Sequence, residues 1–172
     1  MQKRMPFLLV FFIFSLLLFT ACKPAEPPAS SEEGSDTQQT EANFLGDVDV
    51  RTLLTAEQVA DALGKPMGEA QVYENGTRLY FLSEDSTASM DINFLKTSQA
   101  IFEDTLARYS DLQEAPNIGE TAKWSEESSE LLLYGKGMMI SLHPDSPKLD
   151  VEGKLTAARH LAALILEKLP TP

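Results

Sequence analysis

From Phe44 onward the apolar residues recur at spacings that separate one element from the next. Thr55 stands where a helix N-cap belongs, Gln58 three residues later completes a capping box, and Leu54 and Val59 take the two positions of a hydrophobic staple. Gly64 followed by Pro66 stops this first helix. In QVYENGTRLYFL the Asn75-Gly76 pair lies between two apolar runs and predicts a tight hairpin. Met90, Ile92 and Phe94 alternate with Asp91 and Asn93, the pattern of a strand with one buried face. Ile101, Phe102, Thr105, Leu106 and Tyr109 then recur at helical spacing, predicting a second helix from about Ser98. Asp111 to Asn117, with Pro116, reads as a loop. Three further strands are expected at Ala122 to Ser125, Glu130 to Tyr134 and Met138 to His143, the last two joined through Gly135-Lys136-Gly137. A final helix from about Glu152 to Leu169 carries Leu155, Ala158, Ala162, Ile165 and Leu169 on one stripe, widened by Leu161 and Leu164, before Pro170 ends it.

The order of helix, three strands, helix, three strands, helix suggests two degenerate αβββ units plus a C-terminal helix. Gly68-Glu69-Ala70 ahead of Tyr73 and Leu79 to Leu82 matches Gly119-Glu120-Thr121-Ala122 ahead of Trp124 and Leu131 to Tyr134. The expected class is α+β, helices packed on a mostly antiparallel sheet, in a single domain over residues 44–170. The segment NIGETAKW, with the two apolar strands and helix after it, resembles the Gly-Asp/Glu-x-Ala stretch of small extracytoplasmic lipoprotein and sensor domains of actinobacteria. Those domains are mostly without assigned chemistry, so the resemblance carries over no functional residue.

Ahead of the domain the pattern changes twice. Lys3 and Arg4 precede an apolar run from Phe7 to Phe19 that only Ser15 interrupts, the layout of a secretory signal over residues 1–21. That run is shorter than the roughly 20 residues a membrane-spanning helix needs. The chain's one Cys follows Phe19-Thr20-Ala21. This segment resembles the lipobox of bacterial lipoproteins, with Phe where Leu is usual at position 19. The resemblance implies cleavage before Cys22, lipid on its thiol and a place on the outer, extracytoplasmic face of the cell membrane. Two or more acyl chains give stable anchoring where one does not. Residues 23–43, KPAEPPASSEEGSDTQQTEAN, hold no aromatic or branched aliphatic side chain and one Lys against five acids. Such a segment lacks the apolar surface to offset its ordering entropy and is expected to be a disordered acidic linker.

Composition narrows the function more than it names it. Fourteen Lys and Arg against 26 Asp and Glu give a net charge of -12, and no basic cluster exceeds Lys3-Arg4, which argues against nucleic acid. One Cys leaves no disulfide framework and no Cys-rich zinc site, and no metal or cofactor is expected. No GxSxG, SxxK, HExxH, Walker A or GxGxxG pattern occurs. His143, beside Pro144 and Asp145, is a strand-end His, His160 falls on the last helix away from its stripe, and Glu126, Glu127 and Glu130 read as a solvated turn. Trp124, Tyr134, Tyr73 and Tyr80 are the candidate binding residues, since such side chains join apolar area to a polar handle. Burial in the core is the competing reading. The expected function is a noncatalytic, lipid-anchored binding or accessory module for a protein or envelope component. The alternative is a small-ligand sensor or carrier using the aromatics as a pocket.

Overall fold

Thr55 and Gln58 cap each other's backbone amides as expected: Thr55 Oγ1 accepts from Gln58 N at 3.2 Å and Gln58 Oε1 from Thr55 N at 2.9 Å. They start helix α1, Ala56–Leu63, which ends at Gly64 in the left-handed conformation, φ 68°. The structure, a computed structural model, describes residues 48–171; the expected signal segment, Cys22, the expected linker and Phe44 to Asp47 lie outside the described residues. A 3-10 turn at Val50–Thr52 precedes α1. Then come β1 (Gln71–Tyr73), β2 (Arg78–Leu82), β3 (Ser89–Lys96), α2 (Gln99–Leu106), β4 (Leu112–Glu114), β5 (Thr121–Ser125), β6 (Glu130–Gly135), β7 (Met138–Asp145) and α3 (Val151–Lys168). The fold is α+β with a C-terminal helix, and its seven strands form one antiparallel sheet in the order β1-β2-β3-β7-β6-β5-β4.

The period-two pattern puts Leu79, Phe81, Met90, Ile92, Phe94, Leu131, Leu133, Ile140 and Leu142 on one face. Val59 and Leu63 of α1 and Ala158, Leu161, Ala162 and Ile165 of α3 close over that face in the main core. The opposite face is covered over β6 by α2, where Phe102 packs with Leu132 and Tyr134 and is flanked by Leu106, Tyr109, Leu112 and Met139. The Phe102 and Tyr134 rings lie 5.8 Å apart at 32°.

The two halves correspond through their strands. Strands β1-β2-β3 and β5-β6-β7 are arranged about the central β3/β7 pairing, where Ile92 lies opposite Leu142 and Phe94 opposite Ile140. Both halves place a Gly against a carbonyl of their middle strand. Gly68 N donates to Leu82 O and Glu120 N, next to Gly119, donates to Tyr134 O, each at 2.9 Å. The helices do not follow the expected repeat. α1 and α3 share one face, while α2, expected to match α1, lies on the other.

Three local expectations are corrected. The β1 to β2 connection is a four-residue loop rather than a two-residue turn, since Tyr73 pairs with Arg78. Glu74, Asn75 and Gly76 all take positive φ, and Thr77 closes the loop with its amide and hydroxyl on Glu74 O. The stretch Asp111 to Asn117, expected as a loop, contains β4; three residues with only Leu112 half-buried show no alternation, and pairing to β5 makes them a strand. Tyr73 and Trp124, aligned in sequence, fall on opposite faces of the sheet, one exposed and one buried.

Candidate functional site

The four candidate aromatics do not converge. Trp124 is 1% exposed within the core beneath α1 and α3, and Tyr134 is buried under α2. Tyr73 and Tyr80 are brought together on β1 and β2, where with Glu74 and Arg78 they line a cleft of about 380 Å³. Tyr73 is 46% exposed.

The strand register extends this pair into a surface. Gln71 lies opposite Tyr80, Tyr80 opposite Asp91, and Asp91 opposite His143. In the next row Tyr73 lies opposite Arg78, Arg78 opposite Asn93, and Asn93 opposite Ser141. All eight lie on the face opposite the main core, because they alternate with the core residues Leu79, Ile92, Ile140 and Leu142, and Ser141 among them is buried. Leu132, opposite Ser141, already lies under α2, so the helix bounds the surface on that side.

The centre of this surface is fixed by one ion pair. Arg78 Nε and Nη2 donate to the two oxygens of Asp91 at 2.9 and 2.6 Å, a fork-to-fork pairing. Glu74 Oε1 stands 3.6 Å from Arg78 Nη1. The hydrogen bonds and charge of Asp91 raise the guanidinium pKa above its ordinary value, so Arg78 is a permanent cation. Tyr73 donates its hydroxyl to Gln71 Oε1, and Asn93 Nδ2 reaches Ser141 Oγ at 3.5 Å. The arrangement offers two ring systems, an amide on each row and a fixed ion pair, all side by side. Sequence reasoning found Tyr73 and Tyr80 but missed Gln71, Arg78, Asp91 and Asn93. The signal was present in the alternation of Asp91 and Asn93 with Met90, Ile92 and Phe94, which marks an outward face.

His143 lies at the end of this surface and is exposed. Its cross-strand neighbour Asp91 is committed to Arg78. His160 lies elsewhere, in a cleft of about 610 Å³ between α1 and α3 with Asp61, Asp150 and Glu152. Among the described residues no group of three or more His, Cys, Asp or Glu side chains is placed to hold a metal ion, and no helix is long and apolar enough to cross a membrane. No family model, curated protein or solved structure matches the chain.

Proposed function

We propose that this chain is a noncatalytic binding module, held at the outer face of the cell membrane by lipid on Cys22 and recognising an envelope component through the open half of its sheet. The observation that carries the reading is the content of that face. Tyr73, Tyr80, Arg78, Asn93 and His143 occupy neighbouring positions there, so two tyrosines stand with a cation, an amide and an imidazole on one patch. Tyr and Arg are enriched among the side chains that dominate binding energy at interfaces, Tyr because it buries a large ring with little loss of rotamer freedom and Arg because its planar guanidinium presents several donors at once. The carrier alternative needs the aromatics to enclose a pocket, and Trp124 and Tyr134 are instead spent on two separate cores.

The test is site-specific photo-crosslinking in native membranes, with a benzophenone amino acid replacing Tyr73, Tyr80 or, as control, the exposed Glu167 of α3. Adducts at positions 73 and 80 but not 167 are expected. Equal yields at all three positions refute the reading.

A further inference from the structure

We infer that the Tyr73/Tyr80 surface takes a neutral saccharide; the inference rests on the binding role proposed above and names its ligand class. The chemistry of the surface removes the other candidates in turn. The described residues carry 20 acidic against 11 basic side chains. The single cation within the two rows, Arg78, has its charge matched by Asp91, so a polyanion such as a phosphate-rich polymer meets a repelling domain with no free positive group in the binding rows. A cationic peptide finds both oxygens of Asp91 already accepting from Arg78, and Glu74, the other carboxylate of the cleft, stands 3.6 Å from the same guanidinium. An apolar helix of the kind α2 provides would bury Arg78, Asp91 and Asn93 beneath hydrocarbon, leaving their remaining hydrogen-bonding capacity unmet.

What remains is an uncharged ligand that has both apolar and hydrogen-bonding faces. A pyranose ring fits that description, with C–H groups on its faces and hydroxyls around its rim. Tyr73 and Tyr80 supply the flat apolar area for the ring faces, with hydroxyls of their own at the edge. Gln71 and Asn93 each supply an amide, at once donor and acceptor, as a hydroxyl requires. The Arg78–Asp91 pair adds planar donors and acceptors whose positions are set before the ligand arrives, which lowers the ordering cost of binding. The cleft of about 380 Å³ lined by Tyr73, Glu74, Arg78 and Tyr80 lies within the size range of small-molecule sites, and Asn93, paired opposite Arg78, sets a further amide on the next strand for a second sugar.

The test uses the full lipidated chain in a non-glycosidic detergent, applied to an array of neutral tri- to hexasaccharides of gluco, manno and galacto configuration, N-acetylated forms included, with uronic-acid and phosphorylated oligosaccharides alongside. Binding to at least one neutral oligosaccharide is expected, weakened about tenfold or more by Tyr73→Ala and by Tyr80→Ala. Tyr73→Phe should largely preserve it, and Arg78→Lys should weaken it by losing the fork. Because Tyr73 is exposed, Tyr73→Ala should melt as the parent does. Preference for the acidic oligosaccharides, or neutral binding untouched by both alanine variants, overturns the inference. No sugar binding, together with polypeptide adducts at positions 73 and 80, overturns it while leaving the binding role intact. No sugar binding and no position-specific adduct overturns both.

Discussion

Gly119 lies so close beneath Tyr134 that a Cβ on it would meet the Tyr134 carbonyl oxygen at 2.6 Å. Its φ of +61° is also one that side chains disfavour. Gly119→Ala should therefore cost the left-handed backbone penalty, about 1–3 kcal/mol, with the clash added to it. Gly137 provides the control, since its φ is +75° but nothing lies within 4 Å of an added Cβ. Thermal melts should show Gly119→Ala falling clearly further than Gly137→Ala. Equal falls would mean that the approach to Tyr134 is relieved at no cost.

Trp124 is the largest fully buried side chain, and its Nε1 has no hydrogen-bond partner among the described residues. Trp124→Ala should cost about 3–5 kcal/mol, the usual loss for a truncated core aromatic. Trp124→Phe keeps much of the ring and removes an unpaired buried N–H, so its cost should be well under half as large. Urea unfolding of the two variants measures both. A loss below about 1 kcal/mol for the alanine variant would contradict the core placement.

The helices and core were largely legible in the chain because each rests on local chemistry. Thr55 with Gln58, Gly64 and the stripe from Ala158 to Ile165 act within a few residues of themselves. β7 illustrates what was not legible. It runs two residues past the expected His143, through Pro144, because its pairing with β6 ends at Leu142 and β3 alone continues beside it. Only the sheet order explains why a proline is tolerated there. The candidate surface was half legible for the same reason: Tyr73 and Tyr80 stand out by residue type, whereas Arg78, Asp91 and Asn93 become neighbours only once the register is known.

Tyr109 donates its hydroxyl to Glu130 Oε2 at 2.9 Å. Burial, reinforced by that carboxylate, pushes its pKa up to about 12, from an ordinary value near 10. The folded state thus holds the proton more tightly than the unfolded state. The resulting stability is complete below about pH 10 and is lost as pH climbs from there toward 12. The stability difference between the parent and Tyr109→Phe should be flat below pH 10 and narrow above it. Absorbance titration should show one of the chain's four tyrosines ionising later than an ordinary tyrosine, and the variant should lack it.

Asp111 joins the start of β4 to the β5–β6 turn. It accepts from Glu127 N at 2.8 Å and from Ser125 Oγ at 2.9 Å. The Glu127 amide, followed by the Ser125 hydroxyl, holds the carboxyl pKa below its ordinary value. With the folded pKa depressed, the contribution is present above about pH 4 and disappears as pH falls below it. Asp111→Asn should be less stable than the parent at neutral pH and should show a shallower acid limb in melts between pH 4 and 2. Parallel acid limbs would remove Asp111 from the account of acid unfolding.

Cys22→Ser should abolish incorporation of a fatty-acid analogue and release the chain from the membrane fraction. Equal labelling of the variant would remove the lipid anchor from the proposed function.

Lys168 Nζ, at the end of α3, donates to the carbonyls of Thr52 and Leu53 at 2.9 Å each. The first and last elements of the domain are thereby clasped at one pole, and the two helices behind them, α1 and α3, pack on the same core. A mechanical pull on the N-terminal segment is consequently borne first by this clasp and by a helix lying across the middle of the sheet. The edge strand β1, which would otherwise peel away one hydrogen bond at a time, is shielded from the load. A domain braced in this way takes tension at its N-terminal end on the face opposite Tyr73 and its neighbours.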